Sequence, residues 1–142
     1  MKYFFVVANK AKDPEGSYTD RISSYLQQRG AAVSCLMNDR ETAPIQAPEG
    51  VECVIVLGGD GTLLKAAGDL MEQEIPLLGV NLGTLGYLAE VEIGNIEQAL
   101  DKLLCGAYTK EARMMLAGDV LHAGKRMGHK FALNDIVISR CS

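Results

Sequence analysis

The chain is 142 residues long, near the size of one domain, and is 48% hydrophobic and 23% charged, which excludes a disordered or low-complexity polymer. Its net charge of −4, from 14 Lys+Arg against 18 Asp+Glu without a basic run, argues against nucleic acid as a partner, because phosphate-backbone binding needs clustered cations. No stretch approaches the ~18 apolar residues that span a bilayer, and the first apolar run stops at Asn9-Lys10, short of a secretory signal, so no membrane partner and a cytoplasmic location are expected.

Tyr3 to Ala8 is a continuous apolar and β-branched run, the pattern of a strand buried on both faces. Pro14 and Gly16 mark a loop. From Ser17 to Arg29, Tyr18, Ile22, Tyr25 and Leu26 recur at intervals of three and four, one face of a helix that Gly30 can end. Ala32 to Met37 is a second strand, and Asn38 to Gly50 is a connection with two prolines. Val51 to Leu57 is a third strand, followed by Gly58-Gly59-Asp60-Gly61 and a helix over Thr62 to Met71. Pro76 to Val80 is a fourth strand; Asn95 caps a helix over Ile96 to Leu104, and Gly106 stops it.

Strands alternating with helices predict an α/β fold, an open, mainly parallel, Rossmann-like sheet with flanking helices. The rhythm then changes. Ala112 to His122 and Lys130 to Arg140 read as two strands joined by a glycine-punctuated turn. The expected division is an α/β domain over residues 1–107 and, over 108–142, the first hairpin of an all-β domain whose remainder is absent. A lone hairpin is marginal in water, and its unpaired edge favours self-association. Cys35, Cys53, Cys105 and Cys141 form no C-x-x-C pair and lie far from His122 and His129. No protein-held metal is expected, and the thiols are read as small buried hydrophobes.

The chemistry concentrates in Gly58-Gly59-Asp60-Gly61-Thr62, between a buried strand and a helix. Ligands of open parallel sheets bind at the carboxyl ends of the strands, and a helix N-terminus there offers N–H groups to an anion. A carboxylate at Asp60 would repel a phosphate unless a hydroxyl or Mg²⁺ lies between them. That arrangement suits a kinase, in which the carboxylate accepts the proton of the attacking hydroxyl. The alternative is a plain strand-to-helix turn in which Asp60 caps Thr62–Leu64. Neither G-x-x-x-x-G-K-[ST] nor G-x-G-x-x-G is present. A second turn, Gly83-Thr84-Leu85-Gly86-Tyr87, follows the next strand and forms a crevice with the first. Tyr87 offers a ring for a base to stack on, or is a half-buried core aromatic. Asn134-Asp135 sits within the last apolar strand, one side chain on each face, or is a pair at a strand-edge turn.

Together, Gly58-Gly59-Asp60-Gly61-Thr62, Asn81-Leu82-Gly83-Thr84-Leu85-Gly86-Tyr87-Leu88 and Ala132-Leu133-Asn134-Asp135 resemble the ordered motifs of bacterial ATP- or polyphosphate-dependent NAD kinases. The first motif alone is shared with lipid kinases and phosphofructokinases; the second and third separate them. The resemblance implies transfer of the ATP γ-phosphate to the adenosine ribose 2′-hydroxyl of NAD, with Asp60 as proton acceptor. It implies that Gly58, Gly59 and Thr62 shape the phosphate-side loop, that Gly61 backs the nucleotide beside Asp60, that Lys65 lies near NAD or is a solvated helix lysine, that Tyr87 meets the adenine, and that Asn134 and Asp135 contact NAD.

The implied cofactors are a divalent metal, Mg²⁺, with ATP or polyphosphate, and the implied assembly is a homo-oligomer, dimer or tetramer. The chain departs from the family in having no G-x-T-A-Y-like segment. It resembles about the first half of such an enzyme, and the 142 residues alone are expected to turn over weakly or not at all. Two other readings stand beside this one: another G-G-D-G-T kinase acting on a lipid or sugar, and a non-catalytic nucleotide-binding module.

Overall fold

The structure is a computed structural model and describes residues 1–39, 44–83 and 86–138. It divides into two units, Met1–Lys110 and Glu111–Ser142. In the first, β1 (Tyr3–Asn9), β2 (Ala32–Asn38), β3 (Cys53–Gly58), β4 (Leu77–Asn81) and a two-residue β5 (Val91–Glu92) form one sheet in the order β2-β1-β3-β4-β5. Every pairing in it is parallel. The helices are α1 (Ser17–Gln28), α2 (Asp60–Asp69) and α3 (Ile96–Cys105).

Alternation along β1 explains the layering. Phe4, Val6 and Ala8 pack with Ile22 and Leu26 of α1 and with Ile96, Leu100 and Leu103 of α3. Phe5 and Val7 face the other way, onto Leu63, Ala66 and Leu70, together with Ile45 and Ala47. A strand with helices on both sides must be apolar at every position, and the five interior residues of β1 are all buried. The connection from β1 runs out to β2 on one side and that from β3 runs out to β4 on the other. Crossovers between parallel strands are right-handed, so reversing their direction puts α1 and α2 on opposite faces. The reversal opens a gap between β1 and β3 at their carboxyl ends, where open sheets hold ligands.

Several expectations need correction. The helix after β3 begins at Asp60 instead of Thr62, so the aspartate belongs to the first turn and not to the loop before it. Asn95 makes no side-chain cap bond to α3. Among the described cysteines only Cys53 behaves as a buried hydrophobe: Cys35 and Cys105 are exposed, one on the edge strand and one at a helix end, while Cys141 lies outside the described residues. Burial pushes the Cys53 thiol up to about 12. Among the described residues no helix is long and apolar enough to cross a membrane.

The second unit holds a hairpin of β6 (Leu116–His122) and β7 (Lys125–Ala132), paired antiparallel with an irregularity at Val120/Leu121. The expected seven-residue turn is a two-residue one. Ala123 and Gly124 both have positive φ, at 48° and 77°, the requirement of a type I′ hairpin turn. Lys125, Arg126 and Gly128 therefore pair within the strand, with Met127 skipped at the irregularity, and β7 ends before Asn134-Asp135. The expected strand over Lys130 to Arg140 is met only from Lys130 to Ala132: Ile136, Val137 and Ile138 lie beyond β7 and are exposed, and its last two residues fall outside the described ones. Gly124 carries the turn geometry, and the polar stretch after it belongs to a solvent-facing ladder.

Candidate functional site

The carboxyl edge of the sheet is a polar row. Asn9 and Asn38 are register partners at the ends of β1 and β2, and Gly58 and Asn81 are partners at the ends of β3 and β4. Each asparagine ends an apolar run, and two of them start the turn that follows. Asn9 Oδ1 accepts the N–H of Ala11 at 2.9 Å, and Asn81 Oδ1 accepts that of Gly83 at 3.0 Å. Such short side chains mimic a backbone turn. Asn9 also reaches across the gap, its Nδ2 donating to Thr62 Oγ1 at 3.1 Å. This row is missed when the sequence is read for glycines alone, although β1, β2 and β4 visibly close on Asn.

In front of the row lies a cleft of about 500 Å³, whose lining includes Asn9, Lys12, Asn38, Asp39, Asp60 and Lys65. The sequence-predicted residues Gly59, Gly61 and Thr62 line it too, as does Gly86. Gly58 ends β3, and a Cβ there would come within 2.4 Å of Thr62 Oγ1, so Gly58 is what lets the helix start this close to the strand. Gly59 precedes α2 in an extended conformation, and its carbonyl accepts the N–H groups of Thr62 and Leu63. In an α-helix the N–H groups of the first residues have no acceptor within the helix. Here those residues are Asp60 and Gly61 at the cleft wall.

The Asp60 carboxylate does not cap its own helix. Oδ2 accepts the N–H of Tyr87 at 2.9 Å and Oδ1 that of Leu88 at 3.1 Å. The aspartate thus ties the second glycine-rich segment to the first while bordering the open cleft. Its position requires Gly86, where a Cβ would fall within 2.2 Å of Asp60 Oδ1. The N–H bonds from Tyr87 and then Leu88 hold the Asp60 carboxyl below the usual carboxylate range, so it is ionised near neutral pH and remains a hydrogen-bond acceptor.

Lys65 lines the cleft, but its ammonium is paired with Asp69 Oδ2 at 2.6 Å, and the same oxygen accepts the N–H of Ile45. The Tyr87 ring is fully exposed, not a half-buried core aromatic; its backbone, not its ring, joins Asp60. Thr84 and Leu85 of the same motif lie outside the described residues. Asn134 and Asp135 belong to the second unit, where Asn134 Nδ2 donates to Asp135 Oδ1 at 2.9 Å. They follow the strand instead of alternating within it.

The chain is 41% identical to an NAD kinase of Lachnospira eligens and 45% identical to one of Lachnoclostridium phytofermentans, over 99% of its own length in both cases. It covers 50% and 51% of those two proteins, so it spans about half the length of the curated relatives it matches. Among solved structures, an NAD kinase from Archaeoglobus fulgidus in complex with ATP superimposes with a TM-score of 0.63 at 23% identity, covering 81% of this chain and 42% of that one. The yeast NADH kinase complexed with NADH gives 0.70 at 16% identity, covering 94% and 47%; at these identities the likeness is one of fold. Residues 2–108 match the family profile of the ATP-NAD kinase N-terminal domain, and the chain therefore belongs to that family.

Proposed function

We propose that this chain supplies the phosphoryl-donor half of an NAD kinase, transferring the terminal phosphoryl group of ATP or polyphosphate to the 2′-hydroxyl of the adenosine ribose of NAD. The observation that carries the reading is Asp60: an ionised carboxylate in the first turn of α2, facing a cleft beside the gap between β1 and β3. The family supports it, and so do relatives named for this reaction.

In the proposed step Asp60 accepts the proton of the 2′-hydroxyl as that oxygen bonds to the γ-phosphorus and the bond to the β-phosphate oxygen breaks, releasing ADP. A carboxyl held below its usual range is a weak base. The proton then moves late, after much of the P–O bond to the leaving group has loosened, as the loose transition state of phosphoryl transfer allows. The free N–H groups at the start of α2 and the local helix dipole stabilise the anionic donor. Mg²⁺ would enter with the donor; the carboxylates of Asp39 and Asp60, which line the cleft, would hold it there, and it would offset the charge of the phosphates.

On the resemblance, Tyr87, Asn134 and Asp135 are assigned to NAD, and Lys65 to its neighbourhood once released from Asp69. The second unit is taken as the start of a larger β-domain, and the working enzyme as a cytoplasmic homo-oligomer. The test joins this chain to the C-terminal half of the Lachnoclostridium phytofermentans relative and measures NADP formation from NAD and Mg-ATP with an NADP-dependent dehydrogenase. Turnover by the joined chain, with little from residues 1–142, supports the reading. A folded joined chain that makes no NADP refutes it.

A further inference from the structure

The β1–α1 loop carries a cation that the G-G-D-G-T reading does not use. Lys12 lines the cleft. A Cβ built on Gly59 would lie 3.2 Å from Lys12 Nζ, and one built on Gly83 would lie 3.5 Å from it. One ammonium therefore hangs over both glycine-bearing segments, at the place where three strand-end loops converge. Among the described residues it makes no ion pair. The other lysine on the cleft, Lys65, is already neutralised by Asp69.

The loop that presents Lys12 is firmly built. The N–H groups of Lys12 and Asp13 both bond the carbonyl of Asn9 at 2.9 Å, and that of Lys10 bonds the carbonyl of Asn38 at 2.9 Å. Asp13 turns inward, 1% exposed, and its carboxylate takes the N–H and the hydroxyl of Thr19 at 2.9 and 2.7 Å. Asn9 then locks the loop to the first turn of α2 through Thr62. An exposed lysine on a braced turn, aimed at two glycines, leaves space and charge for an anion between them.

We propose that Lys12 is the cation that binds the polyphosphate chain of the donor, with Asp13 and Asn9 as positioning residues that hold its loop. The assignment rests on the cleft being the donor site. Glycines beneath the ammonium let a phosphate chain pass close to backbone while Lys12 neutralises it as a mobile point charge.

The test is calorimetric binding of inorganic tripolyphosphate to the 142-residue chain at low ionic strength. Lys12→Met should weaken binding by roughly ten- to a hundredfold, the scale of one lost charge-assisted contact. Lys12→Arg should retain most of the affinity. Lys10→Met, which removes the same charge from the neighbouring exposed position, should bind like the unaltered chain. All three variants should melt at the unaltered temperature. Lys12→Met binding as tightly as the unaltered chain, or Lys10→Met weakening binding as much, overturns the role of Lys12 and leaves the donor-site reading intact. An unaltered chain that binds no tripolyphosphate overturns both.

Discussion

Asp13 braces the loop that carries Lys12 to the cleft wall. Helix α1 opens after Gly16, a left-handed residue with no side chain to cap it. The cap comes instead from Asp13, which bonds the N–H groups of Tyr18 and Thr19 and the hydroxyls of Ser17 and Thr19. Asp13→Ala removes a cap worth about 1 kcal/mol. It also strands the buried N–H and hydroxyl of Thr19, for roughly another 1–3 kcal/mol. The expected loss is about 2–4 kcal/mol, or on the order of 10 °C in the melting temperature of a unit this size. Asp13→Asn keeps the shape and one acceptor and should lose about half of that.

Charge makes the loss depend on pH. Burial pushes the Asp13 carboxyl up, but the bonds from Thr19, Tyr18 and Ser17 together outweigh it, and the net shift is downward. A depressed carboxyl stabilises the fold above its unfolded value, ~3.9, and that contribution fades as pH falls through the still lower folded value. Urea unfolding followed by circular dichroism should show a constant gap between Asp and Asn from neutral pH down to about 5, and a narrowing gap below ~4. An Asp13→Ala chain within about 0.5 kcal/mol of the unaltered one, or a gap that widens on acidification, would refute the reasoning.

Asp60→Asn in the joined chain should lower turnover by roughly 10²–10⁴-fold, the usual contribution of a general base, while leaving ATP affinity nearly unchanged; an equal fall in both would make Asp60 an organiser of the loops alone. Gly86→Ala should reproduce much of that loss, because its methyl displaces the carboxylate from the N–H groups of Tyr87 and Leu88; turnover at the unaltered rate would show that the carboxylate's position is not required. Ellman's reagent should modify Cys35 and Cys105 in the folded chain and reach Cys53 only on unfolding, since burial both hides its sulfur and keeps it protonated. Rapid modification of Cys53 would contradict the packing of β3.

The parallel sheet was legible because its strands carry the signature of two-sided burial. Val54, Ile55 and Val56 of β3 must face two layers of helix, and only a continuous apolar run permits that. The hairpin was not legible to the same degree. Its strands are largely solvent-facing, so apolar content no longer marks pairing, and the exposed run Ile136 to Ile138 suggested a strand where β7 has already ended. Conformation at Ala123 and Gly124 decided the register instead.

Residue order along the chain determined that Gly58, Gly59 and Asp60 would form the junction of a buried strand and a helix, because backbone close approach and helix initiation are local matters. What Asp60 bonds was a tertiary decision. Its partners, the N–H groups of Tyr87 and Leu88, arrive from the far end of β4, and a missing Cβ at Gly86 admits the carboxylate. Lys12 likewise gives no sign of chemistry in a turn full of charged residues. It acquires one only when the sheet brings the β1–α1 loop beside the two glycine-bearing segments, so that one ammonium lies near both Gly59 and Gly83, and no pattern of neighbours in sequence encodes that meeting.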